Sequence, residues 1–281
     1  MRRVVITGGA GFIGSHISEE LAKQEYHVVI LDDLSTGKKA NIETLLEKPS
    51  VEFIQGSITD LALLQRVLKN TIYVFHQAAI PSVPRSIENP KASHEVNVTG
   101  TLNVLLAARD NAIKKVIYAS SSSVYGDTPT LPKVEDMIPN PQSPYAVTKL
   151  TGEYYCKLFQ QVYDIPTVCL RYFNVYGPKQ DPDSQYAAVI PKFITNIINN
   201  QAPIIFGDGE QSRDFTFIRD VIEANILAAE SNATGIFNIG TGESITINQL
   251  AKLCIKMLSN YCINPIHEEP RPGDIKDSLA D

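Results

Sequence analysis

A phenol and an ammonium four residues apart, in Tyr145-Ala146-Val147-Thr148-Lys149, fall on one face of a helix that Pro144 would introduce. A nearby cation favours phenolate over phenol, so Lys149 is expected to draw the Tyr145 pKa down from about 10 and make it a general base. The spacing alone also suits an ordinary amphipathic surface helix. What favours chemistry is the run Ser120-Ser121-Ser122-Ser123 upstream of it, at the carboxyl end of an apolar stretch, where doubly wound sheets bind ligands. A third constellation, Thr7-Gly8-Gly9-Ala10-Gly11-Phe12-Ile13-Gly14, follows the first apolar run and opens a helix. Its glycines at 8, 11 and 14 permit a tight turn, close approach of backbone to a pyrophosphate, and tight helix–sheet packing, with the helix N-terminus facing the phosphates. Asp32, 18 residues after Gly14, is placed to accept hydrogen bonds from an adenosine ribose and would repel a 2′-phosphate, which favours NAD over NADP. A glycine turn that binds nothing is the bland alternative, and it leaves Asp32 unexplained.

These groups need a scaffold. Val4–Thr7, His27–Leu31, Val51–Gln55, Ile72–Gln77, Lys115–Ser120 and Pro166–Tyr172 read as strands, each near-continuously apolar as doubly covered parallel strands are. Between them run helical stripes such as Ile13, Ile17 and Leu21, or Val98, Leu102, Leu105 and Leu106. The alternation predicts an α/β fold with a doubly wound parallel sheet. Beyond residue 175 a helix with the stripe Ile190, Phe193, Ile194, Ile197 and Ile198 and a strand at Ile204–Phe206 suggest a smaller second lobe, and Thr246 with Gln249 reads as a capping box. The proline-rich passage from Gly126 to Pro144 reads as an ordered surface loop. The expected division is a cofactor domain over 1–174, joined by a returning segment at about 214–240, and a substrate lobe formed by 175–213 and 241–281.

Composition narrows the function classes. A net charge of −6 argues against a broad phosphate-binding face, so nucleic acid is not an expected partner. No apolar run is long enough for a membrane span, and no signal segment precedes the first strand, which leaves a cytoplasmic protein without a membrane partner. Cys156, Cys169, Cys254 and Cys262 sit among apolar neighbours with no C-x-x-C pair and read as reduced thiols. The scattered histidines predict no catalytic metal.

The segments Ala119-Ser-Ser-Ser-Ser-Val-Tyr-Gly126, Ser143-Pro-Tyr-Ala-Val-Thr-Lys149 and Leu170-Arg-Tyr-Phe-Asn-Val-Tyr-Gly-Pro178, with the glycine loop before them, resemble the extended short-chain dehydrogenase/reductases acting on nucleotide sugars, and most of all the UDP-hexose 4-epimerases. The resemblance spans essentially the whole chain. It implies Ser121, Tyr145 and Lys149 as the catalytic set, and an NAD site that extends through Phe12, Ile13, Asp33, Ser35, Thr36, Gly37, Ser57, Ile58, Gln77, Ala78, Ala79, Asn97, Ser120 and Tyr172. Ser57 stands where the family has an aspartate near adenine. On the substrate side it implies Ser82, Val83, Ser122, Ser123 and Asn174, then Val189 and Phe206 about a uracil, Arg213 and Arg271 on a diphosphate, and Asp274 on a ribose. Tyr145 would take the sugar 4′-hydroxyl proton while C4 gives its hydride to NAD, and return of hydride to the other face of a 4-ketose inverts C4.

Ser278 occupies a position where the family carries a bulky aromatic in enzymes restricted to glucose and galactose, and a small residue in those that admit 2-acetamido sugars. UDP-GlcNAc and UDP-GalNAc are therefore the expected pair, with UDP-Glc and UDP-Gal beside them. A 4,6-dehydratase would need an Asp-Glu pair where Ser122-Ser123 stands. A UDP-glucuronate 4-epimerase shares the serine run and would need a carboxylate-binding arginine or threonine in the pocket. A non-catalytic NAD sensor would not need Ser121, Tyr145 and Lys149 together. By analogy the family also implies a homodimer, and chains that continue past the equivalent of Ala280-Asp281, adding a terminal strand and helix.

Overall fold

In the computed structural model, the described residues are 1–182, 188–258, 263–270 and 275–281. Each apolar run of the N-terminal part becomes a strand: β1 (Arg3–Thr7), β2 (His27–Asp32), β3 (Val51–Gln55), β4 (Thr71–His76), β5 (Lys115–Ser121) and β6 (Thr167–Tyr172). The helical stripes become α1 (Phe12–Lys23), α2 (Leu61–Val67), α3 (Val83–Glu88), α4 (Pro90–His94), α5 (Gly100–Asp110) and α6 (Pro144–Tyr163). A single π-helical stretch, Glu95–Thr99, joins α4 to α5. Ser143 caps α6, its Oγ accepting from Ala146 N at 3.2 Å, and Pro144 occupies the first turn, where a missing N–H costs nothing.

The remaining elements are short: β7 (Val175–Tyr176), α7 (Val189–Ile198), β8 (Ile204–Phe206), β9 (Ser212–Arg213), β10 (Thr216–Phe217), α8 (Ile218–Glu230), β11 (Gly235–Ile239), β12 (Ile245–Thr246), α9 (Ile247–Leu258), β13 (Ile266–Glu268) and β14 (Asp277–Ser278). The main sheet has seven parallel strands in the order β11-β6-β5-β4-β1-β2-β3, so the chain comes back after β10 to add its last strand at the β6 edge. The strand order reverses between β1 and β4, which opens a crevice at their carboxyl ends.

Alternation along the strands builds two cores. Val4 and Ile6 pack with Ile17, Leu21 and Val221 on the face of α1 and α8; Val5 packs with Leu64, Leu105 and Cys156 on the face of α2, α5 and α6. Each such fully buried aliphatic contributes roughly 2 kcal/mol of transfer free energy. The second lobe has a small core of its own, Phe193, Ile197, Ile205, Ile247, Leu250, Ala251 and Cys254, between α7, α9 and β8. The capping box is formed: Thr246 N donates to Gln249 Oε1 at 2.9 Å and Gln249 N to Thr246 Oγ1 at 3.1 Å.

The proline-rich passage holds no helix, but it is not merely superficial. Lys133 is buried, bridges Ala280, and donates from Nζ to Thr128. Cys156, Cys169 and Cys254 are buried free thiols, and Cys262 lies outside the described residues. Among the described residues no helix is long and apolar enough to cross a membrane.

Candidate active site

A cavity of about 700 Å³ opens at the carboxyl ends of β1, β2, β4 and β5. Gly8, Gly11, Phe12, Ile13 and Gly14 form its floor, Asp32, Asp33, Ser35, Thr36 and Gly37 one end, and Ser57, Ile58, Gln77, Ala78 and Ala79 the wall. Ser120, Tyr145, Lys149, Tyr172 and Ser82 stand at the other end. The three glycines are required for different reasons. Gly8 has φ +68, and a Cβ on it would lie 2.6 Å from Ala78 N; a Cβ on Gly14 would lie 2.3 Å from Gly8 O. Gly11 has φ −75, and the nearest atom to a Cβ there is Gly8 O at 3.2 Å. The protein itself scarcely needs a glycine at 11, yet the position lines the cavity at a helix N-terminus, as close approach of a phosphate requires.

Asp32 is buried, and burial raises its pKa against two opposing hydrogen bonds, from Leu34 N to Oδ1 (2.8 Å) and Ala10 N to Oδ2 (2.9 Å). Each oxygen keeps a lone pair for a hydroxyl donor. Gly37 lets the loop close on this carboxylate, since a Cβ there would meet both oxygens at 2.8 Å. Ser57 Oγ turns inward to Thr59, 3.0 Å from its hydroxyl. Asn97 does not line the cavity. It stands behind the wall, accepting from Ile80 N at 2.7 Å and donating to Ile80 O and Thr148 Oγ1, so it shapes the loop after Ala79. The dinucleotide groove, the ribose carboxylate and the glycine loop together fit NAD.

Tyr145 and Lys149 project from the first turns of α6 toward the end of β5. The Tyr145 hydroxyl faces the Ser121 side chain, and Ser121 Oγ accepts from Ser123 N at 3.2 Å. Lys149 is buried, donates to Ala119 O at 2.8 Å, and lies 5.8 Å from the Tyr145 ring centre. The expected lowering of the phenol is absent: burial pushes Tyr145 up to about 12, with only the Ser121 hydrogen bond opposing it. Burial also brings Lys149 down to about 8, with Glu153 resisting. Desolvation of the phenolate outweighs an ammonium engaged by a carbonyl at this distance.

The residues expected on the substrate side are less tightly gathered. Ser82 caps α3 with φ +92 and lines the cavity, whereas Val83 begins α3 outside it. Ser122 and Ser123 form the turn after β5, and Ser123 Oγ is buried without a partner. Asn174 donates to Asp214 O at 3.2 Å. Val189 packs against the second core, while its neighbours Ala188 and Pro191 face the first cavity. Phe206 lines a second cavity of about 1050 Å³ together with Gln211, His267 and Lys276. Arg213 is buried, donating to Ser212 O and Lys276 O, and Ser278 is buried opposite it in the β9–β14 pair, lining neither cavity. Arg271 and Asp274 lie outside the described residues.

Several residues at the site stand outside the set that the sequence pointed to. Arg85, Lys38, Asn41, Lys179, Gln180 and Asp181 also line the first cavity. Lys38 pairs with Asp181 at 2.9 Å and Lys179 with Glu19 at 3.3 Å, tying the segment after β7 across the groove. Asn225 of α8, fully buried, donates to Tyr172 Oη at 2.8 Å and fixes that ring beside Gln77. Glu153 lies one turn beyond Lys149, so the spacing Y-x-x-x-K-x-x-x-E was a readable sign of a longer polar face.

The profile of the NAD dependent epimerase/dehydratase family matches residues 4–240. A putative UDP-glucose 4-epimerase of Methanocaldococcus jannaschii is 43% identical over 274 residues, which cover 97% of this chain and 87% of that protein. The structure of a UDP-N-acetylglucosamine 4-epimerase from Methanobrevibacter ruminantium, in complex with UDP-N-acetylmuramic acid, superposes with a TM-score of 0.96 at 46% identity, covering 100% of this chain and 89% of that one. A UDP-glucuronic acid 4-epimerase from Bacillus cereus, solved with UDP-glucuronic acid and NAD, gives 0.92 at 35% identity, covering 99% and 90%.

Proposed function

The chain belongs to the NAD dependent epimerase/dehydratase family, and from that premise we propose that it inverts C4 of a UDP-hexose, with UDP-GlcNAc and UDP-GalNAc as the preferred pair and UDP-Glc and UDP-Gal accepted beside them. One observation carries the reading: Tyr145, one turn from Lys149 on α6 and facing Ser121 at the end of β5, stands at the end of the dinucleotide cavity. Bound NAD supplies the hydride acceptor that later returns the hydride.

The protein's part is to move and hold protons. As the phenolate, with its charge offset by Lys149, Tyr145 takes the proton of the sugar 4′-hydroxyl that Ser121 orients, and becomes the neutral phenol as C4 gives up its hydride. The family resemblance assigns the substrate diphosphate to Arg213, Arg271 and Asn174, the uridine to Phe206, Val189 and Asp274, and the sugar to Ser82, Val83, Ser122 and Ser123. The preference for 2-acetamido sugars rests on the family resemblance at Ser278, which is itself buried in the β9–β14 pair and lines neither cavity. In this reading, 1–174 with the returning segment 214–240 forms the cofactor domain, and 175–213 with 241–281 the substrate lobe. The protein works in the cytoplasm as a homodimer; supporting the dimer, Val147, Tyr154, Leu158 and Val162 leave an exposed apolar stripe along α6.

Arg85 on the cavity wall favours a second reading, UDP-glucuronate 4-epimerase, because a guanidinium there could meet a C6 carboxylate. The test is to supply UDP-GlcNAc, UDP-Glc and UDP-glucuronate separately to protein purified without added NAD and to follow H4 of the sugar by NMR. Inversion of the N-acetyl sugar without net NADH supports the proposal. Turnover of the uronate alone selects the second reading, and loss of water, release of CO₂ or accumulating NADH overturns both.

A further inference from the structure

Behind the catalytic pair lies a buried ion pair that the steps above leave unused. Glu153 and Arg171 are 1% and 2% exposed. Glu153 Oε2 accepts from Arg171 Nη2 at 2.8 Å, and Oε1 accepts both from Arg171 Nε at 2.8 Å and from Ser120 Oγ. Ser120 lines the dinucleotide cavity, and Arg171 sits directly across from it in the β5–β6 ladder. The guanidinium packs over the Tyr125 ring, 4.6 Å from its centre, which fixes the fork.

The surroundings of Lys149 give this pair a role. The titratable groups facing its ammonium are Tyr145 and Glu153 of α6, His76 of β4 and Tyr118 of β5, with Arg171 of β6 beyond Glu153. His76 is held neutral between Thr7 and Thr101, its pKa brought down to about 3 by burial and by Lys149 itself. Burial keeps the Tyr118 phenol protonated, and its ring is pressed so close to α6 that a Cβ on Gly152 would lie 2.2 Å from its hydroxyl. Within this group Glu153 is the one anion. A buried ammonium facing a carbonyl and aromatic rings sheds its proton unless a carboxylate offsets the desolvation.

We propose that Glu153, locked by the Arg171 fork, is a positioning residue of the reaction: it keeps Lys149 charged beside Tyr145 and anchors Ser120 at the cavity wall next to Ser121. The inference rests on the Tyr145–Lys149 chemistry proposed above. A purely structural ion pair would behave differently, because such pairs are often replaceable by apolar residues without loss.

The experiment uses holoenzyme labelled with [ε-¹³C]lysine, with the Lys149 resonance assigned by its disappearance in Lys149→Met. Glu153→Gln strands a buried guanidinium, so Glu153→Gln/Arg171→Met is made beside it, and Glu153→Asp retains the charge. In the folded double variant the Lys149 titration moves down by about one pH unit or more. Its kcat at pH 8 falls about tenfold with KM little changed, and recovers at lower pH. Glu153→Asp keeps the wild-type titration. The proposal is overturned if the double variant titrates as wild type does, or if Glu153→Asp shifts as far as the double variant. Wild-type protein that turns over no UDP-sugar would defeat the functional reading, while the Lys149 titration, which needs no substrate, still decides the role of Glu153.

Discussion

The dinucleotide cleft and the smaller second lobe hold their buried polar groups in place by different means. In the cleft Asp32 is held by two backbone N–H groups, of Ala10 in the glycine loop and of Leu34 in its own loop, and Tyr145 faces Ser121 at the end of the preceding strand. The lobe has strands of two or three residues and a core of seven buried side chains, so its register depends on contacts with the rest of the chain. Asp214 illustrates this dependence. Fully buried, it accepts from Thr241 N, Thr241 Oγ1, Gly242 N and Ala280 N. The glycine loop and Asp32 of the cleft are specified largely by nearby sequence, and the lobe by long-range polar knots such as Asp214.

That contrast can be broken at the chemistry first. Tyr145→Phe should lower turnover about 10³-fold, measured by H4 inversion, while NAD still copurifies, because the proposed proton acceptor is lost and the groove is untouched. In the cleft, Gly14→Ala should cost about 3 kcal/mol or more in urea unfolding, since its Cβ meets backbone at 2.3 Å, whereas Gly11→Ala should leave stability within about 0.5 kcal/mol and weaken NAD binding measured by calorimetry. Equal losses of stability at the two glycines would refute their separate roles. In the lobe, Asp214→Ala should cost about 3 kcal/mol by stranding several buried donors. A loss under about 1 kcal/mol would show that the knot is dispensable.

A pH experiment separates the regions further. His76 has its folded pKa depressed to about 3 against an ordinary value of 6.5, so the unfolded chain binds more protons across that window and stability falls as pH drops from 6.5 toward 3. His76→Gln should flatten this part of the Tm-against-pH curve, and an unchanged slope would contradict it. The smallest expected effect is at the lobe's capping box, where Thr246→Ala should cost about 1 kcal/mol in urea unfolding.

How much was legible in the sequence follows the same division. Val28–Leu31 and Val116–Ala119 are continuous apolar runs whose burial on both faces demands a central parallel strand, so the sheet could be read from pattern alone. Gly8 and Gly14 announced a turn because no other residue fits there. The pairs β7–β10 and β9–β14 could not be read, since two residues carry no periodicity and their partners are remote in sequence. Arg171 stands between Leu170 and Tyr172 in a strand, and only the fold reveals that a carboxylate of α6 meets it. The Tyr145–Lys149 spacing was correctly placed on one helix face, but the sequence held no measure of desolvation and gave the phenol the wrong direction of shift.

The returning segment has a mechanical consequence. The chain passes between the main sheet and the second lobe three times, near residues 173–175, 214–218 and 239–245. These passages are laced side by side: β7 pairs with β10, Phe173 N donates to Ile239 O at 3.0 Å, and Thr216 N donates to Asn174 O at 3.3 Å. Three passages of chain hydrogen-bonded to one another form a single seam, so a substitution that disturbs one of them bears on the other two and on both cores they join.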